Sequence, residues 1–175
     1  GTPKVDVAIY HHSYYETIDF WGPEKIFTTE SLEQNGYSYD FVDPATLSLS
    51  NMTVTDGILD AEGTAYKALI LKDETDLPSE TVVLLNQYAE NGLKIVFIGE
   101  TASERSYLND EDITDGMQTL LANENTTVIE DIDEIAETLK DMGVIPDASY
   151  ENETLLANHR SADGMDYYFL YNYGN

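Results

Sequence analysis

Ala68-Leu69-Ile70-Leu71 and Leu93-Lys94-Ile95-Val96-Phe97-Ile98 bracket the most legible part of this chain. Both runs are short, rich in β-formers and poor in polar alternation, which suits strands covered on both faces within a parallel sheet packed between helices. Between them Pro78-Ser79 announces a helix with Ser79 at the N-cap, and Val82, Leu85, Tyr88 and Ala89 share one helical face. Asn91-Gly92 ends it. The result is a strand–helix–strand unit whose crossover is right-handed by rule.

Outward from that unit the same grammar repeats. Residues 5–10 form a third apolar run, and residues 37–42 a fourth strand of β-forming residues ending at Asp43-Pro44. Pro23 opens a helix over residues 24–34, with Ile26, Phe27 and Leu32 inward and Asn35-Gly36 as its stop. Residues 45–66 are irregular, with a short edge strand at Thr53-Val54. A short helix over residues 115–123 carries Met117, Leu120 and Leu121, and a brief strand follows at residues 127–129. Asp131 then caps a helix with Glu134 three places on, and Ile132, Ile135, Ala136, Leu139 and Met142 make its stripe. Residues 1–148 thus read as one α/β domain. Residues 149–175 change character: the turn Ala162-Asp163-Gly164 leads into an aromatic strand at residues 167–173, expected to begin a further β-rich module and to mark a fragment boundary.

Composition narrows the partners. The 175 residues suit one domain with a real core, and a 42% hydrophobic content excludes a disordered chain. Acidic residues number 34 against 8 basic ones, a net charge of −26. Nucleic acid and anionic membranes are excluded as partners, because both need Lys and Arg clusters. Cysteine is absent, so thiol nucleophiles and thiolate metal sites are too. No run reaches the ~18 apolar residues of a membrane span. Sequons at Asn51, Asn125 and Asn152 fall in predicted loops or loop edges, so a secreted, extracellular glycoprotein is expected.

In a parallel sheet, chemistry gathers at the carboxyl ends of the strands. Here those ends are His11-His12, Lys72-Asp73 and Gly99-Glu100. None carries G-x-G-x-x-G, a P-loop or the G-x-S-x-G elbow, and no EF-hand pattern occurs. His11, His12, Tyr14, Tyr15 and Trp21 form the best candidate surface for a ligand or partner domain, since aromatic faces with polar tips suit sugars and interfaces alike. Adjacent histidines on an extended backbone point to opposite faces, so they share a metal only if the loop bends them together. Asp73 and Glu100 follow neighbouring core strands and are candidates to approach each other; solvated strand-end carboxylates are the plain reading.

Several quoted segments together resemble a known family. They are Lys4-Val5-Asp6-Val7-Ala8-Ile9-Tyr10, Gly36-Tyr37-Ser38-Tyr39-Asp40-Phe41-Val42, Asp56-Gly57-Ile58-Leu59 and Ala65-Tyr66-Lys67-Ala68-Leu69-Ile70-Leu71. Leu93-Lys94-Ile95-Val96-Phe97-Ile98-Gly99, His159-Arg160 and Asp166-Tyr167-Tyr168-Phe169-Leu170-Tyr171-Asn172 complete the set. In this order they resemble the C-terminal half of secreted family-106 glycoside hydrolases of the α-L-rhamnosidase type, particularly fungal members. The resemblance implies a flavodoxin-like, three-layer α/β/α module with a mostly parallel central sheet, related to class I glutamine amidotransferases. It also implies a catalytic barrel before this module and β-sandwich modules after it. Catalytic carboxylates and calcium ligands belong to the barrel, so no catalytic residue, metal or cofactor is assigned to this segment. The amidotransferase cysteine is absent as well.

The expected function is therefore a non-catalytic accessory module of a plant-polysaccharide-degrading enzyme. Two alternatives use the loop spanning residues 11–21: a stand-alone carbohydrate-binding module, or a small enzyme that adds Asp73 or Glu100.

Overall fold

The computed structural model describes residues 1–11, 29–104, 111–148 and 155–172. In chain order the elements are β1 (Thr2–Lys4), β2 (Val7–Tyr10), α1 (Ser31–Gln34), β3 (Tyr39–Val42), α2 (Pro44–Leu47), β4 (Val54–Thr55) and β5 (Ile58–Leu59). Then come β6 (Ala68–Glu74), α3 (Ser79–Glu90), β7 (Lys94–Thr101), α4 (Thr114–Leu121), β8 (Thr126–Ile129), α5 (Ile135–Asp141), β9 (Leu155–Ala162) and β10 (Met165–Asn172).

The apolar runs become the centre of a five-stranded sheet, ordered β3-β2-β6-β7-β8, in which every pairing is parallel. Successive side chains on a strand face opposite ways, so each run supplies two cores. Ala8, Tyr10, Leu69, Leu71, Ile95 and Phe97 join Leu47 of α2, Leu85 and Tyr88 of α3 and Leu120 of α4. Val7, Ile9, Ala68, Ile70, Val96 and Ile98 join Leu32 of α1 and Ile135 and Leu139 of α5. Burying each such aliphatic side chain contributes ~1.5–3 kcal/mol, enough in sum to fix the register of the central strands.

Two further sheets lie outside this pattern. β4 and β5 pair antiparallel with each other, so the expected edge strand at Thr53-Val54 belongs to its own two-stranded sheet. β9 and β10 form a hairpin, and β1 pairs antiparallel with β9. Asp163 (φ 52°) and Gly164 (φ 73°) supply the two left-handed residues of the turn, the geometry that matches the twist of paired strands. Pro3 sits in the edge strand β1, where a sheet tolerates proline.

Helix starts differ from the sequence reading in four places. Of the helix expected over residues 24–34, residues 24–28 (with Ile26 and Phe27) lie outside the described residues, Thr29 and Glu30 are not helical, and α1 begins at Ser31. α3 is entered through Pro78, whose ψ of 142° is still extended, so Ser79 is the first helical residue and not the N-cap. Asp43 caps α2 instead of ending a strand before irregular chain: its carboxylate accepts the Thr46 N–H at 2.7 Å, with Pro44 in the first turn. The Asp131 carboxylate accepts from the Asp133 N–H at 2.9 Å, while the Glu134 N–H goes to the Asp131 backbone carbonyl at 3.1 Å, so that Asp131 opens a tight 3-10 turn (Ile132–Glu134) ahead of α5. Among the described residues, no helix is long and apolar enough to cross a membrane.

Candidate functional site

At the carboxyl edge β2 runs out at His11, whose backbone N–H donates to the Val42 carbonyl at 2.8 Å. His12, Tyr14, Tyr15 and Trp21 lie outside the described residues. Asp73 and Glu100 do come together. β6 and β7 stay in register as far as Lys72 opposite Ile98, slip at a bulge between Lys72 and Glu74, and pair again at Glu74 opposite Thr101. Asp73 stands in that bulge with φ 51°. Its Oδ1 accepts the Glu100 backbone N–H at 3.1 Å, and its Oδ2 pairs with Lys72 Nζ at 2.8 Å. The Lys72 bond first, then the Glu100 N–H, hold the Asp73 carboxyl below the ordinary range.

The contact is thus between a carboxylate and a backbone amide, while the Glu100 side chain is exposed. Gly99 (φ 71°) completes the arrangement, since a Cβ there would stand 2.2 Å from Asp73 Oδ1. A carboxylate that is ionised and committed on both oxygens suits a strand staple better than a general acid, which needs its proton near neutral pH.

The opposite, amino edge holds a cluster that the sequence reading missed. Asp6, Ser38 and Lys67 immediately precede β2, β3 and β6. Asp6 is 1% exposed. Its Oδ2 accepts from the Ser38 N–H at 3.0 Å and the Ser38 hydroxyl at 2.9 Å. Its Oδ1 accepts from Lys67 Nζ at 2.8 Å and the Asp147 N–H at 2.9 Å. Lys67 also donates to the Ile145 carbonyl at 2.7 Å and to Asp147 Oδ1 at 2.5 Å. From Asp147 the chain of charge continues outward, Oδ2 meeting His159 Nδ1 at 2.6 Å, while His159 Nε2 meets Asp166 Oδ1 at 2.9 Å. The His159 ring stacks on Tyr168, with centroids 4.4 Å apart and planes 11° from parallel.

Burial lowers the Lys67 pKa, but the Asp147 and Asp6 bonds outweigh it and leave the amine above its usual value. Burial likewise raises Asp147, and its bonds to Lys67 and His159 outweigh that and leave it lowered. The cluster pins the antiparallel sheet to the parallel one. One signal was present in the sequence: a charged residue beside buried strand positions, as Asp6 and Lys67 are, must find partners. Nothing local identified Asp147 or His159 as those partners.

A cavity of about 210 Å³ at this edge is lined by Lys67, Lys94, Gly57, Gly92 and Met142 among others. Ligand pockets run to roughly 300–1,000 Å³. Both ammonium groups are already bonded, Lys67 within the cluster and Lys94 to Asn125 Oδ1 at 2.5 Å. Among the described residues, no three His, Cys, Asp or Glu side chains are grouped to hold a metal ion.

The model of glycoside hydrolase family 106, described as alpha-L-rhamnosidase, matches residues 1–175. The chain belongs to this family. No curated protein matches it. Among solved structures it is similar to a rhamnosidase from Novosphingobium sp. PP1Y, with a TM-score of 0.62 and 17% identity. That match covers 98% of this chain and 17% of the other, so this family-106 chain spans about a sixth of the length of that rhamnosidase. At this identity the likeness speaks for the fold.

Proposed function

We propose that the chain is a non-catalytic structural module of a secreted, plant-polysaccharide-degrading α-L-rhamnosidase. It folds as a flavodoxin-like three-layer unit and braces a neighbouring catalytic barrel and β-sandwich modules. Counted within the parallel sheet, the strand order is 2-1-3-4-5, the flavodoxin-like order, and helices contribute to both cores, which supports that reading. The observation that carries the accessory role is the state of Asp73. The strand-end carboxylate best placed for chemistry is committed to Lys72 and to the Glu100 amide. The exposed Tyr167, Phe169, Leu170 and Tyr171 of β10 support contact with a neighbouring module, because large exposed apolar patches mark interaction surfaces. In this reading the module needs no cofactor, and His11, His12, Tyr14, Tyr15 and Trp21 contribute to an interface.

The test is hydrolysis of aryl α-L-rhamnosides by the 175-residue chain alone. Turnover no greater than buffer is expected. Turnover abolished by His11→Ala would overturn the accessory role, and saturable sugar binding lost in Trp21→Ala would favour a carbohydrate-binding module instead.

A further inference from the structure

His159 belongs to β9 but is held between two acids from elsewhere, Asp147 after α5 and Asp166 on β10. Each ring nitrogen faces a carboxylate oxygen, at 2.6 and 2.9 Å. An ionised carboxylate only accepts hydrogen bonds, so both nitrogens must donate, and an imidazole that donates twice is the doubly protonated cation. The neutral ring would turn one lone pair against a carboxylate. We infer that His159 is a pH-operated latch that joins the β9–β10 hairpin to the parallel-sheet body, closed while the ring holds both protons and loosened when one leaves.

The charged surroundings favour closure. Lys4 of β1 lies opposite His159 in the sheet register, but its ammonium is bonded to the Gly63 carbonyl. Lys67 is saturated by Asp6, Asp147 and the Ile145 carbonyl. From β10, Tyr168 offers its ring face, which attracts a cation. Burial acts to lower the His159 pKa, and the bonds to Asp166 and Asp147 outweigh it, leaving the group raised. The latch therefore contributes fully below the ordinary histidine value of about 6.5 and is lost as pH rises through the raised folded value. Asp147 and Asp166 are both lowered, so on the acid side the contribution is present above about 3.9 and is lost as pH falls through their folded values. Its working range is mildly acidic.

The experiment is an NMR titration of the imidazole in the full chain, assigned by its absence in His159→Gln, alongside amide hydrogen exchange across residues 155–172. The expected midpoint lies above that of a free histidine, with ring protons shifted upfield by Tyr168 until the ring deprotonates. Between about pH 6 and about pH 8, hairpin protection, corrected for intrinsic exchange, falls about tenfold per pH unit by which that midpoint exceeds the free value. Asp166→Asn, at an exposed position, brings the midpoint down and flattens the pH dependence. A midpoint at or below that of free histidine would overturn the latch, and so would hairpin protection that ignores the titration.

Discussion

Gly99 and Asp73 exclude each other's alternatives: a Cβ at residue 99 would stand 2.2 Å from the carboxylate that closes the β6–β7 bulge. Gly99→Ala must therefore expel Asp73 from its bond with the Glu100 amide and also hold an alanine at φ 71°. The left-handed backbone alone costs ~1–2 kcal/mol. A total loss of about 2–3 kcal/mol is expected from urea unfolding, with the bond to the amide adding ~1 kcal/mol. An unchanged midpoint would mean that the bulge does not depend on this pair.

Buried phenols set an alkaline limit. Tyr88 donates its hydroxyl to the Met52 carbonyl at 2.8 Å and lies within reach of the Leu47 carbonyl at 3.1 Å. Burial pushes Tyr88, Tyr37 and Tyr66 up to about 12. A folded value above the unfolded one of about 10 means that the neutral phenol stabilises the fold below pH ~10, and that this contribution is lost as pH rises through the folded value. Tyrosinate absorbance should then rise in two steps, with the later one accompanied by loss of secondary structure. Tyr88→Phe should remove one chromophore from the later step. A single step near the ordinary tyrosine value would contradict this.

How far these features could be foreseen depends on whether their causes are local. The strands at Ala68 and Leu93 were legible because burial on both faces leaves an uninterrupted apolar run, and the 3.6-residue stripe of α3 lies between them. α2 was not foreseen, since one helical turn has no period to detect, although Asp43-Pro44 is a cap signature when read as such. β1 was missed because Thr2-Pro3-Lys4 has no strand pattern of its own and is ordered by β9, more than 150 residues away. The approach of Asp73 to Glu100 followed from adjacent strand ends, but the bulge that turns the carboxylate towards an amide did not. The Asp6–Lys67–Asp147–His159 cluster is the extreme case, because its members meet only after the sheets have formed.

Asp6 tests that cluster directly. Replacing it with Ala leaves the Ser38 and Asp147 amides without their acceptor and removes one of the two carboxylates around Lys67. Breaking a buried charge pair from one side costs ~3–5 kcal/mol, and that range is expected for Asp6→Ala in thermal or urea unfolding. Asp6→Asn should cost less, because an amide oxygen can still accept from one donor. A loss below about 1 kcal/mol for Asp6→Ala would place the group among surface ion pairs.

The sequons at Asn51 and Asn125 occupy opposite environments. Asn51 is exposed, and its Nδ2 donates to Asp60 Oδ1 at 3.1 Å on the surface. Asn125 is half-buried: its Nδ2 donates to the Ala89 carbonyl at the end of α3 (3.0 Å), and its Oδ1 accepts from Lys94 Nζ. A glycan on that nitrogen would intrude between α3 and the start of β8. In a host that glycosylates secreted proteins, Asn51→Gln should therefore lower the intact mass by one glycan, whereas Asn125→Gln should not. In unglycosylated protein the ranking reverses. Asn125→Ala removes two half-buried hydrogen bonds and should cost ~1–3 kcal/mol, while Asn51→Ala should stay within about 0.5 kcal/mol of the parent. A glycan found on Asn125 in folded protein would show that α3 and β8 can part without unfolding the sheet.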